Sequence, residues 1–186
     1  MKNLILLAIS VVVLGLLGCK NDDEETKLSA SLTMKTYEVG SQDITYGPEK
    51  TVFMEKEPIA FDMKLTNTGF KTERVEFGGC GFDVIEIYDS NGDMVYSSEI
   101  TTTGCGAVWY VEVMYTGETI GSPTLWDQEL YNVDPDTGAI SATGEYLQPG
   151  DYTVIGYAKV HLGSSEAEAT IIPVPVELSL TIEASE

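Results

Sequence analysis

Chemistry in this chain would have to be carried by one histidine, three cysteines and thirty acidic side chains. The histidine, His161, stands beside Lys159 and Gly163 at the end of an alternating segment, a place more usual for a surface residue than for a general base. A serine nucleophile needs a strained turn and a partner histidine, and the sequence has no Gly-x-Ser-x-Gly elbow. Zinc needs a cluster of His and Cys ligands, which these scattered residues do not form. Carboxylates are abundant, but a paired-acid glycosidase also relies on a deep cleft that a small β domain seldom provides. Asp89, Asn91 and Asp93 have the alternate spacing of a calcium loop without its downstream glutamate, so the segment reads as a turn. Asp134-Pro135-Asp136-Thr137-Gly138 offers hard oxygen donors on a loop, yet Pro-Asp and Thr-Gly explain it as a turn as well. No catalytic residue, metal or cofactor is assigned, and the chain is not expected to be an enzyme.

Cysteine chemistry is more informative. Lys2 and Asn3 form a short polar start, and Leu4 to Leu17 is a nearly unbroken apolar run of signal-peptide length, too short to span a bilayer stably. Leu16-Leu17-Gly18-Cys19 closes it and resembles a lipobox, with the small Gly18 before a cysteine whose thiol accepts a lipid. Residues 1–18 are therefore expected to be a lipoprotein signal peptide and Cys19 the acylation site, which makes a membrane the first partner. Residues 19–28 read as lipidated cysteine plus tether, because Lys20-Asn21-Asp22-Asp23-Glu24-Glu25 is too polar to pack. That stretch is similar to an acidic tag that sends some outer-membrane lipoproteins to the cell surface, although a plain flexible linker explains it equally well. The expected location is the outer membrane, lipid-anchored at the cell surface, with its periplasmic face as the alternative. Assigning Cys19 to lipid leaves Cys80 and Cys105, an even pair in an oxidising compartment. A disulfide between them would close a loop of about 25 residues and stabilise the fold by roughly 3 kcal/mol; otherwise they are two small apolar residues.

The formal charge is −20, and residues 1–18 contribute only Lys2, so export makes the chain more acidic still. Such a surface repels phosphate backbones and anionic lipid headgroups, which excludes nucleic acid as a partner. With 43% hydrophobic and 9% aromatic residues the chain is nevertheless expected to fold.

The elements that must position these residues are strands. Ile59, Phe61, Met63 and Leu65 alternate with Asp62 and Lys64, and Arg74 to Phe77 follows a turn at Asn67-Thr68-Gly69. Asp83 to Tyr88 and Met94 to Tyr96 flank Asn91-Gly92, a pair suited to the positive φ angles of a tight hairpin. Ala107 to Tyr115 reads as a long strand with Trp109, Val111, Val113 and Tyr115 on one face. Tyr152 to Val160 has large residues on both faces and should be central. Ile172 to Ile182 keeps one apolar parity, with Pro173 and Pro175 opposite, so this terminal strand should begin at an edge. Ser29 to Val39 could add a first strand, and Gly47-Pro48 reads as loop. The expected fold is all-β: one antiparallel immunoglobulin-like sandwich of seven to nine strands over residues 29–186.

Leu65-Thr66-Asn67-Thr68-Gly69, Phe82-Asp83-Val84, Asp89 to Gly92 with Val95-Tyr96, Trp126-Asp127-Gln128, and Leu147-Gln148-Pro149-Gly150-Asp151-Tyr152-Thr153-Val154 occur in an order that resembles the BsuPI-type intracellular proteinase inhibitor family. The similarity spans roughly Ile59 to Leu162. It implies an immunoglobulin-like sandwich, and inhibition of a serine protease through a surface loop. The chain departs from the family in its exported leader and in an added segment, Asn132 to Glu145. The matched residues Asn67, Asp83, Gly92, Trp126, Asp127, Gln128, Pro149, Gly150 and Tyr152 are expected to be fold determinants, and no reactive-site residue transfers. The leading expectation is a surface-exposed protein-binding module, its partner a protease among other proteins. The other is a glycan-binding or glycan-processing lipoprotein that stacks sugars on Tyr110, Tyr157 or Trp126.

Overall fold

The structure is a computed structural model that describes residues 27–41, 43–101, 108–134, 137, 139–163 and 166–185. The expected leader, Cys19 as the expected acylation site, the acidic stretch, Cys105, and Pro135, Asp136 and Gly138 of the segment read as a turn lie outside the described residues. No helix among the described residues is long and apolar enough to cross a membrane.

The chain folds as an all-β sandwich, antiparallel in every pairing but one among the described residues. A four-stranded sheet has the order β2 (Ile44–Glu49), β1 (Leu28–Val39), β4 (Ile59–Asn67), β9 (Thr119–Trp126). Facing it, a larger sheet runs β3 (Val52–Met54), β14 (Leu178–Glu183), β12 (Gly150–Leu162), β5 (Glu73–Gly78), β8 (Trp109–Met114). β13 (Ala169–Pro173) and β6 (Asp83–Tyr88) also pair with β12, and β7 (Met94–Ser97) pairs with β6 before a short helix, α1 (Ser98–Thr101). β10 (Glu129–Val133) and β11 (Ile140–Tyr146) form a separate ribbon. The parallel exception is β3 on β14.

Alternation explains the core. Ile59, Phe61, Met63 and Leu65 of β4 are fully buried, and Ala30, Leu32 and Met34 of β1 join them from the same sheet. Val75, Ile85, Ile87, Val154, Ala158, Val160, Leu180 and Ile182 come from the opposing sheet. β12 is the spine: it meets β14 and β13 along one side and β6 and β5 along the other, as its two large-residue faces require. At Gly156 the sheets approach so closely that a Cβ would lie 2.8 Å from Leu32 Cδ2 and 3.2 Å from Met63 Cε. Before β12, the Tyr152 hydroxyl donates back to the Gln148 carbonyl at 2.7 Å across Pro149-Gly150, the corner arrangement of immunoglobulin-like sandwiches.

Four expectations are corrected. Among the described residues the strands number fourteen, not seven to nine, because β2 and β3 are short extra edges, the segment from Glu129 to Tyr146 builds the β10–β11 ribbon, and the terminal run is split. That run becomes β13 and β14 because Pro173 pairs with Tyr157 but Leu178 with Val154, five steps against three. Gly47-Pro48 lies within β2 rather than in a loop. The register slips between Lys35 and Tyr37, and a Cβ at position 47 would collide with the Thr36 hydroxyl, so glycine and a bulge admit proline on an edge strand. Lastly, β1 starts at Leu28, one residue inside the expected tether.

Candidate functional site

β8 is the part of the sandwich that its fold least explains. The large-residue face expected over Trp109, Val111, Val113 and Tyr115 exists, but it is turned to solvent, and the buried residue is Met114 of the opposite parity. Trp109, Tyr110, Val111 and Val113 are each 44–50% exposed, and Val108 and Tyr115 flank them even more openly. The cause is position: among the described residues β8 pairs with β5 alone, from Glu73↔Met114 to Gly78↔Trp109, and closes one end of the larger sheet. Tyr110 is held by stacking on Phe77 at 5.9 Å, and Phe77 in turn meets Phe82 edge-on at 5.3 Å.

A cleft of about 220 Å³ opens beside the start of this strand, on the outer surface of the larger sheet. Gly78, Val84, Lys159, His161 and Trp109 line it together with Glu99 of α1. Trp109 meets the His161 ring edge-on at 5.0 Å. His161 Nδ1 lies 2.6 Å from the Ala167 carbonyl, which can only accept, so Nδ1 is the donor. Lys159 Nζ bonds Glu99 Oε1 at 2.7 Å, both partly exposed. Ser98 Oγ is buried and accepts from the Ile85 amide at 3.0 Å, a strand-capping role. The wall can offer donors, acceptors and an aromatic edge to a ligand.

The motif residues are brought together mostly as braces. Asn67 is fully buried, and its Nδ2 donates to the carbonyls of Lys71 and Met114 at 2.7 and 2.9 Å, while Oδ1 accepts from Gly69. It thereby ties the turn after β4 to the end of β8. Asp83 receives the Thr124 hydroxyl, a link between the two sheets. Trp126 is 3% exposed, stacked on Tyr96 at 4.3 Å and on Phe61 at 6.2 Å, with Nε1 donating to the Glu129 carbonyl. Asp127 Oδ1 accepts from the Glu129 amide. Gln128 sits at φ +68° and is fully buried, accepting from the Lys56 amide and donating to the carbonyls of Met54 and Glu57. Pro149 and Gly150 make the exposed corner before Tyr152.

The 89–93 loop closes a hairpin, but not as the two-residue turn expected. Gly92 takes φ +84° whereas Asn91 is not in the left-handed region, and Tyr88 pairs with Met94 through a bulge. The Asp89 carboxylate accepts from the Asp93 amide and from the Asn91 amide and side chain, and these bonds hold its carboxyl below the usual range. The Asp89 oxygens are thus occupied by the turn itself. Among the described residues, no three His, Cys, Asp or Glu side chains converge as metal ligands.

Of the three aromatics offered for sugar stacking, Trp126 is core, in keeping with the fold-determining role expected of it and against the rival reading of an exposed ring. Tyr157 is half-buried and donates to Glu86 Oε1 at 3.0 Å, beside Tyr88, which donates to Oε2 at 2.7 Å. Burial together with the Glu86 bond pushes the Tyr157 hydroxyl far up from its ordinary value. Tyr110 alone is open, and its companions on β8 were visible in the sequence only as a strand. Phe70, 87% exposed, carried no sequence signal beyond its own hydrophobicity.

No family model matches the sequence, and no curated protein matches it. Among solved structures, the chain is similar to an ApaA protein from Bordetella pertussis, at 16% identity over 84% of this chain and 94% of that one, with a TM-score of 0.43. It is also similar to the C-terminal domain of wzt, at 14% identity over 87% and 80%, TM-score 0.45. A β-glucosidase from Kluyveromyces marxianus matches at 14% identity over 86% of this chain but 16% of its own length, TM-score 0.30.

Proposed function

We propose that this chain is an exported lipoprotein, held at the outer membrane by lipid on Cys19, whose sandwich binds a protein partner without catalysis. The observation that carries the reading is β8, an apolar strand left open at the end of a sheet. On an otherwise strongly acidic chain, a contiguous apolar strip of this kind is the usual mark of an interaction surface. A binding role also fits the polar groups nearby, since His161 and Ser98 are engaged with backbone atoms and Glu99 with Lys159. A protease is the partner favoured by the resemblance to the BsuPI-type inhibitors.

The test is a panel of secreted serine proteases presented to the full chain in membrane vesicles. A stable complex, or loss of proteolysis that Val111→Asp restores, is expected; neither with any protease removes the inhibitor version. Mass spectrometry of the same vesicles should find the N-terminal peptide beginning at an acylated Cys19, and an intact leader would sink the lipoprotein reading. Sugar binding has one supporting feature, Trp109 open on the wall of the cleft, and glycan-array binding lost in Trp109→Ala would favour it.

The Cys80–Cys105 disulfide belongs to the same reading. Gly78 pairs with Trp109, so the chain leaves β5 toward Cys80 at the end where it enters β8 four residues after Cys105. Thiol titration of the denatured, unreduced mature protein is expected to find no free thiol, and two would remove the bond.

A further inference from the structure

We infer that the outer edge of β8 accepts an extended segment of a partner protein as an added strand, apolar at alternate residues and basic opposite Glu112. This rests on the protein-binding reading above and specifies its mode.

A strand presents its N–H and C=O groups alternately to its two sides. Among the described residues β8 uses one side, on β5, so the other side is a row of unmatched backbone groups. Proteins normally blunt such edges with proline, bulges, lysine or short length, and the other edges here follow that rule. β2 contains Pro48 and a register slip, β9 contains Gly121 and Pro123, and β13 ends in Pro173. β3 has three residues and β7 four, while the β10–β11 ribbon is interrupted by a slip and by Gly144 at φ +74°. β8 has one charge, Glu112, and otherwise none of these devices: Trp-Tyr-Val-Glu-Val-Met contains no proline, glycine, lysine or arginine, and its aromatic and β-branched residues favour strands. An edge so little blunted and flanked by exposed apolar side chains is the template used in strand addition, where backbone bonds supply affinity and alternate side chains supply selectivity.

Charge selects the occupant. Glu112 is the single charge in β8 and is exposed, between Val111 and Val113 in sequence and on the same face as Tyr110. A second copy would bring another charge of −20 and another Glu112 to the same edge, and like charges across a ladder are destabilising. A basic residue opposite Glu112, with apolar residues beside Trp109, Val111 and Val113, satisfies both faces at once.

The test titrates the full chain with synthetic peptides of about eight residues that alternate valine and threonine. One carries lysine at the centre and one glutamate, and two further lysine peptides are N-methylated on one or the other alternate set of amides. The lysine peptide should bind at least about tenfold more tightly than the glutamate peptide, and Glu112→Lys should reverse the order. One N-methylated set should abolish binding and the other leave it intact, the signature of pairing along a single edge. Val111→Pro and Glu112→Pro remove adjacent N–H groups on opposite sides of β8, so one of the two should stay folded and lose the peptide. Binding that neither N-methylated set weakens but Val111→Asp abolishes would leave the protein-binding reading standing and overturn the added strand. Failure of the lysine peptide to bind overturns it too, while the protease panel judges the broader reading separately. A dimer of the chain that is lost in the folded proline variant would make a second copy the occupant and overturn the proposal.

Discussion

Replacing Trp126 with alanine is expected to lower the stability of the domain by about 4 kcal/mol, the upper range for an aromatic lost from a packed core. For a domain of this size that corresponds to a fall of about 10 °C in the melting midpoint. The effect is large because three contributions vanish together: the stack on Tyr96, the contact with Phe61, and the indole N–H bond to the Glu129 carbonyl. Tyr96 comes from β7 and Phe61 from β4, so the ring joins the two sheets. Trp126→Phe separates the contributions. It retains stacking but leaves the carbonyl without its donor, and should cost about 1–2 kcal/mol. Thermal melts followed by tryptophan-independent circular dichroism check both values, and a midpoint unmoved in Trp126→Ala would mean that the ring is not part of the core.

Gln128→Glu, nearly identical in shape, is expected to cost about 3 kcal/mol at pH 7. The amide nitrogen donates to the carbonyls of Met54 and Glu57 at 2.8 Å each; a carboxylate would set a negative oxygen against both, with no solvent to screen it. Burial and these carbonyls raise the folded pKa of the introduced acid above its unfolded value of about 4.3. The sign follows from linkage: such a group is bound to its proton more tightly in the folded state, so the penalty is least below the unfolded pKa. It grows as pH rises toward the folded pKa and is constant above it. The difference between variant and wild type in urea melts should therefore shrink to about 1 kcal/mol near pH 4. A difference that does not change between pH 4 and pH 7 would show that the carboxylate reaches water. Backbone geometry compounds the loss, since Gln128 and the Lys56 it accepts from are both non-glycine residues in the left-handed region.

The candidate site was partly legible in advance. Trp109 to Met114 announces a strand by composition, yet composition favours burial of its larger face, and the structure exposes it. Exposure depends on which strand lies beyond β8 and which sheet lies opposite, and neither is encoded within six residues. His161 reads as a surface residue from its neighbours, but its edge-on contact with Trp109 joins residues of β12 and β8 that meet only through β5. The alternative reading of Trp126 as a sugar-stacking ring failed for a related reason: Trp126 and Gln128 lie two apart in sequence, whereas the Tyr96, Phe61 and Met54 groups that bury them are remote.

What the sequence determined alone is what short-range periodicity and residue chemistry can carry. Alternation set the inward face of β4, large residues on both faces marked β12 as central, and Pro149-Gly150 marked the corner before it. Tertiary structure alone decided which strands became edges, that Gly47-Pro48 could sit in a ladder beside a bulge, and that β8, among the described residues, would keep one side unpaired. Side-chain alternation is a local property of a chain with period two, whereas an edge is defined by the absence of a neighbour, which only the assembled sheet can specify.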